Sequence, residues 1–416
     1  MSGGIALCLE SSVETVMGQL LFVCAALSTS QIDSPAETAP LEPSAAAAPS
    51  QPDRWPIMKS LQGTWPGWLL DAHRASISGW TEMSFTASTA SNNQLPLGFN
   101  YRANDFLLQQ NWLRFERNVV TSGTTEPTWG FRFDTILPGS DYRFTLARGI
   151  FNGQLTANDG QPATYGIDPV QFYGEANFPT FARGLNWKIG RMFCQYGSET
   201  IDAPPNALVS HSYTFIYDPF TQTGSMVAVQ MTPAWSLQLG AIMGPDVFFD
   251  SAASPYGAFS AKWAPPNGRH SATISGLIGS GRYDTSEQFN NPNIIDIVYT
   301  YALTPRWNYT LDALFGYQTN VPNIGTATWF GIVNYLTCQL TSRLSSTARL
   351  EFFDDVDGNR TGFPGLYTAA TAGICFKFRP EIVIRQEVRF DNNSESRAFD
   401  HHYNLLTAGF DLIVRW

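Results

Sequence analysis

The chain has 416 residues, 44% of them hydrophobic and only 14% charged, with a formal net charge of −10. A mean hydropathy of −0.13, with no apolar run near the roughly 18 residues of a spanning helix, excludes a helical membrane protein. It does not exclude a barrel, whose lumen residues dilute the average, and nothing in the charge pattern points to nucleic acid.

Residues 1–53 contain six acidic residues and no Lys or Arg, whereas from Arg54 onward 29 acidic residues nearly balance 25 basic ones. Leu20 to Leu27 is a short apolar core, and Ala26-Leu27-Ser28 offers small residues for cleavage, so residues 1–30 read as a signal peptide. Its basic n-region is missing, and Met17 is an alternative start. Cys24 follows Val23, a poor fit to the small residue of a lipobox. Residues 31–53, rich in Ala, Pro and Ser, read as a disordered linker. Residues 54–74, with Trp55, Trp65, Trp68, Leu69 and Leu70 punctuated by Pro56 and Pro66, read as a short periplasmic segment, helical or irregular.

From about Ala75 the pattern is alternation with period two. Trp129, Phe131 and Phe133 face one way, and Gly130, Arg132 and Asp134 the other. In Trp307 to Tyr317, an apolar set alternates with Asn308, Thr310 and Asp312. Alternation suits a barrel with lipid outside and water inside, but a soluble sandwich alternates too. Connection lengths discriminate better. Short turns at Thr232–Ala234, Ala264–Arg269, Thr304–Arg306, Thr341–Arg343 and Arg379-Pro380 alternate with long polar connections. The long ones are Gly244–Pro255, Gly279–Pro292, Gln318–Thr326, Asp354–Gly365 and Asp391–Tyr403. Outer-membrane barrels segregate their connections in this way, with short periplasmic turns and long external loops. The expected fold is therefore an all-β, transmembrane, antiparallel up-and-down barrel over residues 75–416. The strand count is about 16, with 14 and 18 as alternatives; Val170–Ala176 and Tyr213–Asp218 are doubtful strands.

The chain ends on a strand. Leu406, Ala408, Phe410, Leu412, Val414 and Trp416 form one apolar face, as expected of a barrel-closing strand with its terminal aromatic at the lipid interface. The expected partners are outer-membrane lipid, the barrel-assembly machinery, small hydrophilic solutes or ions, and further copies in a homotrimer.

Charged residues fall on the polar faces: Arg114 and Glu116, Arg132 and Asp134, Asp141 and Arg143, Arg349 and Glu351, Arg385, Glu387 and Arg389, then Asp411 and Arg415. They are candidate pore-lining residues, able to pair along and across strands. Of the basic residues, 21 are Arg and four are Lys. Arg191 breaks the pattern, because its parity matches Trp187, Ile189 and Phe193. A regular strand would aim it at lipid, at a cost of roughly 2–4 kcal/mol, unless a bulge or a strand end near Gly190 intervenes. Cys194–Gly224 follows, irregular and rich in Pro. Folded inward, it would form a constriction with Arg191, Glu199 and His211, bringing the latter two towards Arg114, Arg132 and Arg143.

No cofactor or metal is expected. Asp354–Asn359 lacks the acids of an EF-hand, Asp400-His401-His402 reads as a solvated loop, and the five cysteines have no metal or disulfide spacing. No hydrolase, phosphate-loop or metalloprotease motif is present, so an enzyme is not expected.

The run Asn111-Trp112-Leu113-Arg114-Phe115-Glu116-Arg117 is followed by Trp129-Gly130-Phe131-Arg132-Phe133-Asp134. After it come Gly184-Leu185-Asn186-Trp187-Lys188-Ile189-Gly190-Arg191, His211-Ser212-Tyr213-Thr214-Phe215 and Pro219 to Gly224. With Gly79-Trp80, these resemble the OmpL-like β-barrel porins over about residues 75–416, with Gln222 a departure where the family has His. The resemblance implies a porin-like barrel and supplies no substrate. The function expected is passive diffusion of small hydrophilic solutes through a water-filled channel. The alternatives are a plugged barrel with adhesive or structural surface loops and, behind it, an outer-membrane hydrolase.

Overall fold

The computed structural model describes residues 54–416 except Leu95, residues 157–160, Ala252 and Glu287. The signal peptide and linker expected before Arg54 lie outside the described residues. Two short helices come first, α1 (Pro56–Leu61) and α2 (Trp65–Ala72), each opened by a proline that needs no amide partner there. The strands then run β1 (Ser76–Ser88), β2 (Asp105–Arg117), β3 (Thr128–Gly139), β4 (Gly166–Phe178), β5 (Leu185–Phe193), β6 (Thr221–Gln230), β7 (Trp235–Pro245) and β8 (Tyr256–Trp263). The second half is β9 (His270–Ile278), β10 (Asn293–Ala302), β11 (Trp307–Val321), β12 (Gly325–Gln339), β13 (Leu344–Asp355), β14 (Gly365–Arg379), β15 (Ile382–Asn393) and β16 (Asn404–Arg415). Between them lie two single turns of helix, α3 (Tyr142–Thr145) and α4 (Tyr213–Tyr217), and a two-residue parallel pairing of Arg148–Gly149 with Val247–Phe248.

Each strand pairs antiparallel with its chain neighbour, and β16 returns to β1, so the 16 strands form a closed barrel without free edges. The seam runs from Trp80 opposite Arg415 to Ser88 opposite Thr407. At its end Gly79 and Trp416 exchange two backbone hydrogen bonds of 2.9 Å each. The indole lies over Gly79, where an added Cβ would sit 2.5 Å from the ring. No helix among the described residues is long and apolar enough to cross a membrane, and the strands present the apolar belt instead. Leu239 is 66% exposed, Phe352 49% and Phe410 40%, all on outward faces. Outward apolar residues in such numbers are stable only where the surrounding solvent is lipid.

Four local expectations are corrected. Tyr213–Asp218 is not a strand but α4 with its C-cap, because the Ser212 hydroxyl accepts from Phe215 N–H and starts a helical turn. Val170–Ala176, in contrast, lies within β4. Gln318–Thr326 is not a long loop. β11 and β12 pair out to Val321 and Gly325, and Asn323, at φ 64°, turns the chain. Asp141 and Arg143 belong to α3 and its cap rather than to a strand wall. Finally, Arg191 needs neither a bulge in β5 nor an early strand end, since β5 pairs without a break on both sides through Phe193 or Arg191. The irregularity lies next door, between β3 and β4 after Asp134.

Candidate functional site

Residues 194–220, between β5 and β6, fold into the barrel and cross it. What holds this loop is the set of charged residues that the sequence places on the inner wall. Wall carboxylates accept from loop N–H groups. Asp296 on β10 takes Gly197 N–H at 3.0 Å and Asp312 on β11 takes Ser198 N–H at 2.6 Å. Glu387 on β15 takes Val209 and Ser210 N–H at 2.8 and 3.1 Å, and Glu351 on β13 takes Tyr213 N–H at 2.8 Å. Wall arginines donate to loop carbonyls. Arg385 reaches Ala203 and Asn206 at 3.0 and 2.9 Å, Arg349 reaches Ser210 at 2.6 Å, and Arg389 reaches His211 at 2.6 Å. The backbone of an irregular buried loop must have its polar groups satisfied, and here charged side chains do it.

Side-chain pairs add to the harness. Arg114 on β2 bridges Asp134 and the loop's Asp202, both at 2.8 Å. Glu199 is enclosed by His211 Nδ1 at 2.7 Å, the Tyr335 hydroxyl at 2.6 Å and Arg349 at 3.0 Å. Burial alone would raise the Glu199 pKa. The His211 hydrogen bond and charge, then Arg349 and Tyr335, more than offset it and hold the carboxyl at about 2. Asp218, at the far end of the loop, is the opposite case. Burial, reinforced by the Asp296 and Asp312 carboxylates, raises it well above the usual range, and among the described residues neither of its carboxylate oxygens has a hydrogen-bond partner. Asp246, just past β7, accepts from Phe220 and Thr221 N–H at 2.9 and 2.8 Å. Burial lifts it to about 6 against those hydrogen bonds.

Apolar contacts seat the loop as well. Ile201, Ala203, Phe215 and Phe220 pack with Trp80, Trp112 and Ile136, while Tyr213 joins Trp329, Phe353 and Tyr367. The wall makes room by omitting side chains. A Cβ at Gly331 would lie 2.5 Å from the Thr214 methyl, and one at Gly373 2.6 Å from Leu208.

The residues proposed from sequence thus separate into groups. Arg114, Asp134, Arg349, Glu351, Arg385, Glu387, Arg389 and Asp411 converge on the loop or on each other, and Arg385 also pairs with Glu82 at 2.9 Å. Arg132 and Glu116 pair at 2.6 Å in the half-exposed region at the short-turn end. Glu199 and His211 meet Arg349, not Arg114, Arg132 or Arg143. Arg143 stacks over Tyr101 and bonds the Ala163 carbonyl in the long-loop region. Arg191 is fully buried, ion-paired with Asp168 at 2.6 Å and donating to the Thr145 carbonyl at 2.7 Å. It faces neither lipid nor an opening. The loop anchors Asp202, Asp296, Asp312 and Tyr335 were not picked out from sequence. Asp296 and Asp312 share the inward parity of their strands, which is the signal available.

The lumen is uneven as a result. In the half nearer the long loops, inward side chains are buried on both sides of the barrel, from Thr86 and Asp134 through Met192, Ile242 and Leu277 to Leu314, Phe353 and Leu405. In the other half, an open cavity of about 340 Å³ lies between the Cys194–Thr200 edge of the loop and the β6–β10 wall. A smaller one, about 160 Å³, lies under residues 198–210 beside Thr310, Tyr335 and Thr337. Among the described residues, no cluster of side chains is placed to hold a metal ion.

A family model described as "Putative beta-barrel porin-2, OmpL-like" matches residues 74–415. No curated protein matches the chain. Among solved structures, the outer-membrane channel DcaP of Acinetobacter baumannii is similar at a TM-score of 0.55 and 11% identity, covering 82% of this chain and 97% of that one. OprB of Pseudomonas putida gives 0.52 and 12%, covering 88% and 99%. The anion-selective porin from Comamonas acidovorans gives 0.51 and 9%, covering 82% and 99%. At such identities the likeness is one of fold. The match across nearly the whole barrel is what places the protein: it belongs to the OmpL-like β-barrel porin-2 family and is an integral outer-membrane channel protein.

Proposed function

We propose that the barrel passes small hydrophilic solutes by diffusion, along the seam between the inward loop and the β6–β9 wall. The observation that carries this is the asymmetry of the harness. Strands β2, β10–β13 and β15 hold the loop through many hydrogen bonds made by charged and polar side chains. From the Cys194–Thr200 edge of the loop towards β6–β9, the one hydrogen bond found among the described residues is from the Tyr196 hydroxyl to the Gly276 carbonyl, at 3.2 Å. The cavity of about 340 Å³ opens along this seam, between the loop edge and hydroxyl-bearing wall positions. Beyond it, Tyr196 packs with Met192, Met226, Ile242, Tyr256 and Leu277, an apolar patch that shuts the long-loop side. Solute passage then requires the Cys194–Thr200 edge to lift off this patch, while the rest of the loop stays anchored.

In this reading the short turns face the periplasm and the long loops the cell surface. The terminal strand, ending on Trp416, serves recognition by the barrel-assembly machinery. The packed outer half also suits a second reading, a plugged barrel whose surface loops bind partners. Purified protein in a planar bilayer separates the two. Stepwise current openings support the channel, and a silent, fully folded barrel supports the plug.

A further inference from the structure

We infer that Lys262 gives this passage a preference for small anions. The inference rests on the channel reading above and assigns the charge class of the solute. The cavity beside the loop has two charged lining residues, Glu199 and Lys262. Glu199 presents no free charge to a solute, because His211, Tyr335, Arg349 and the Ser212 N–H enclose its carboxylate. Lys262 differs in every respect. It is exposed, points into the lumen from β8, and among the described residues no ion pair or hydrogen bond engages its ammonium.

Its surroundings leave that charge uncompensated. Directly across the sheet stand Ser236 on β7 and Thr273 on β9, with Gln238 and Ser260 beside them. Strands β6 and β7 contain no charged residue. Asp296, the acid on β10, is buried and holds the loop through Gly197. The arginines of the opposite wall are committed to Asp134, Glu351, Asp391 and Asp411 or to loop carbonyls. One free positive charge therefore sits among neutral hydroxyl and amide groups, which can replace part of an anion's hydration by hydrogen bonding. Because Lys262 belongs to the wall, it stays in the path however the loop edge moves. Clefts lined by one sign of charge between low-dielectric walls concentrate the opposite ion.

The test is the reversal potential of single channels under a KCl gradient. The parent should favour chloride over potassium. A unit charge about 10 Å away raises the local anion concentration and lowers that of the cation by about twofold each in water, so Lys262→Gln should lower the permeability ratio by about fourfold. Lys262→Glu should carry it below one, and Lys262→Arg should leave it as in the parent. Heat-modifiable mobility checks that each variant is folded, and Lys262→Gln suffices if the charge reversal fails to assemble. A cation-selective parent, an unshifted ratio in Lys262→Gln, or loss of preference in Lys262→Arg would each overturn the inference and leave the channel reading standing. A parent without openings would overturn both.

Discussion

Arg349 on β13 and Glu199 on the inward loop stand 150 positions apart in sequence and meet at 3.0 Å. Each has further partners: Arg349 also reaches Glu351 at 2.7 Å and the Ser210 carbonyl at 2.6 Å. The charges that stud the lumen-facing sides of the strands are therefore mostly a harness for the loop and only in small part a coating for a water column. Removing one member of such a buried set leaves the others without compensation, which is costlier than the pair is worth.

Arg349→Ala should accordingly release the middle of the loop, at a cost of about 3–5 kcal/mol in the stability of that segment. Limited proteolysis or hydrogen exchange over residues 198–213 should show the loss while the strands stay protected. An equally protected loop in the variant would count against the harness.

Acid should act on the loop in two opposite steps. Glu199, held at about 2, contributes stability that is present above the ordinary Glu range and is lost as pH falls towards 2. Asp246, lifted to about 6, contributes stability that is present below the ordinary Asp range and is lost as pH rises through 6. Loop protection should therefore be higher at pH 5 than at pH 7.5, and should collapse below about pH 3. Hydrogen exchange corrected for intrinsic rates reads both limbs, and a monotonic profile would contradict the assignment.

Gly331→Val tests the seating of the loop without touching any charge. The new side chain meets the Thr214 methyl, where even a Cβ would sit at 2.5 Å. Overpacking of this kind costs typically 1–3 kcal/mol, and the loop is the softer partner. Larger or more frequent conductance steps than in the parent are expected, with normal assembly of the barrel.

Trp416→Ala, or deletion of Phe410 to Trp416, should impair assembly. The deletion removes the last six positions of β16, the strand that closes on β1, together with Trp416, and the substitution uncovers Gly79. Heat-modifiable mobility and outer-membrane yield measure the effect. Normal values for the deletion would contradict the role of β16 in closure.

Most of the barrel was legible in the sequence because a two-sided strand between lipid and a polar interior has a strict period. The Trp307–Tyr317 and Leu405–Trp416 patterns place their faces correctly, and short turns fixed by Pro and Thr mark the strand ends. Gln318–Thr326 misled because polarity marks a loop only on average, and here polar residues extend two strands to a tight Asn323 turn. Arg191 misled because parity says which way a side chain points but not what covers it, and Asp168 and Thr145 cover it. The pairing of Glu199 and Asp202 with particular arginines depends on the path of an irregular loop, which no periodicity encodes. Lys262 was legible only as one of four lysines. Its isolation appears once every neighbouring charge is seen to be engaged elsewhere.

Conduction along the seam at Tyr196 is read out by single-channel recording of the parent beside Tyr196→Ala. The substitution removes the hydrogen bond to Gly276 and the ring that completes the apolar patch, while every charged anchor of the loop remains. Stepwise openings are expected in the parent, and a higher open probability or conductance in the variant. Identical currents in the two, or silence from both when fully folded, would contradict it.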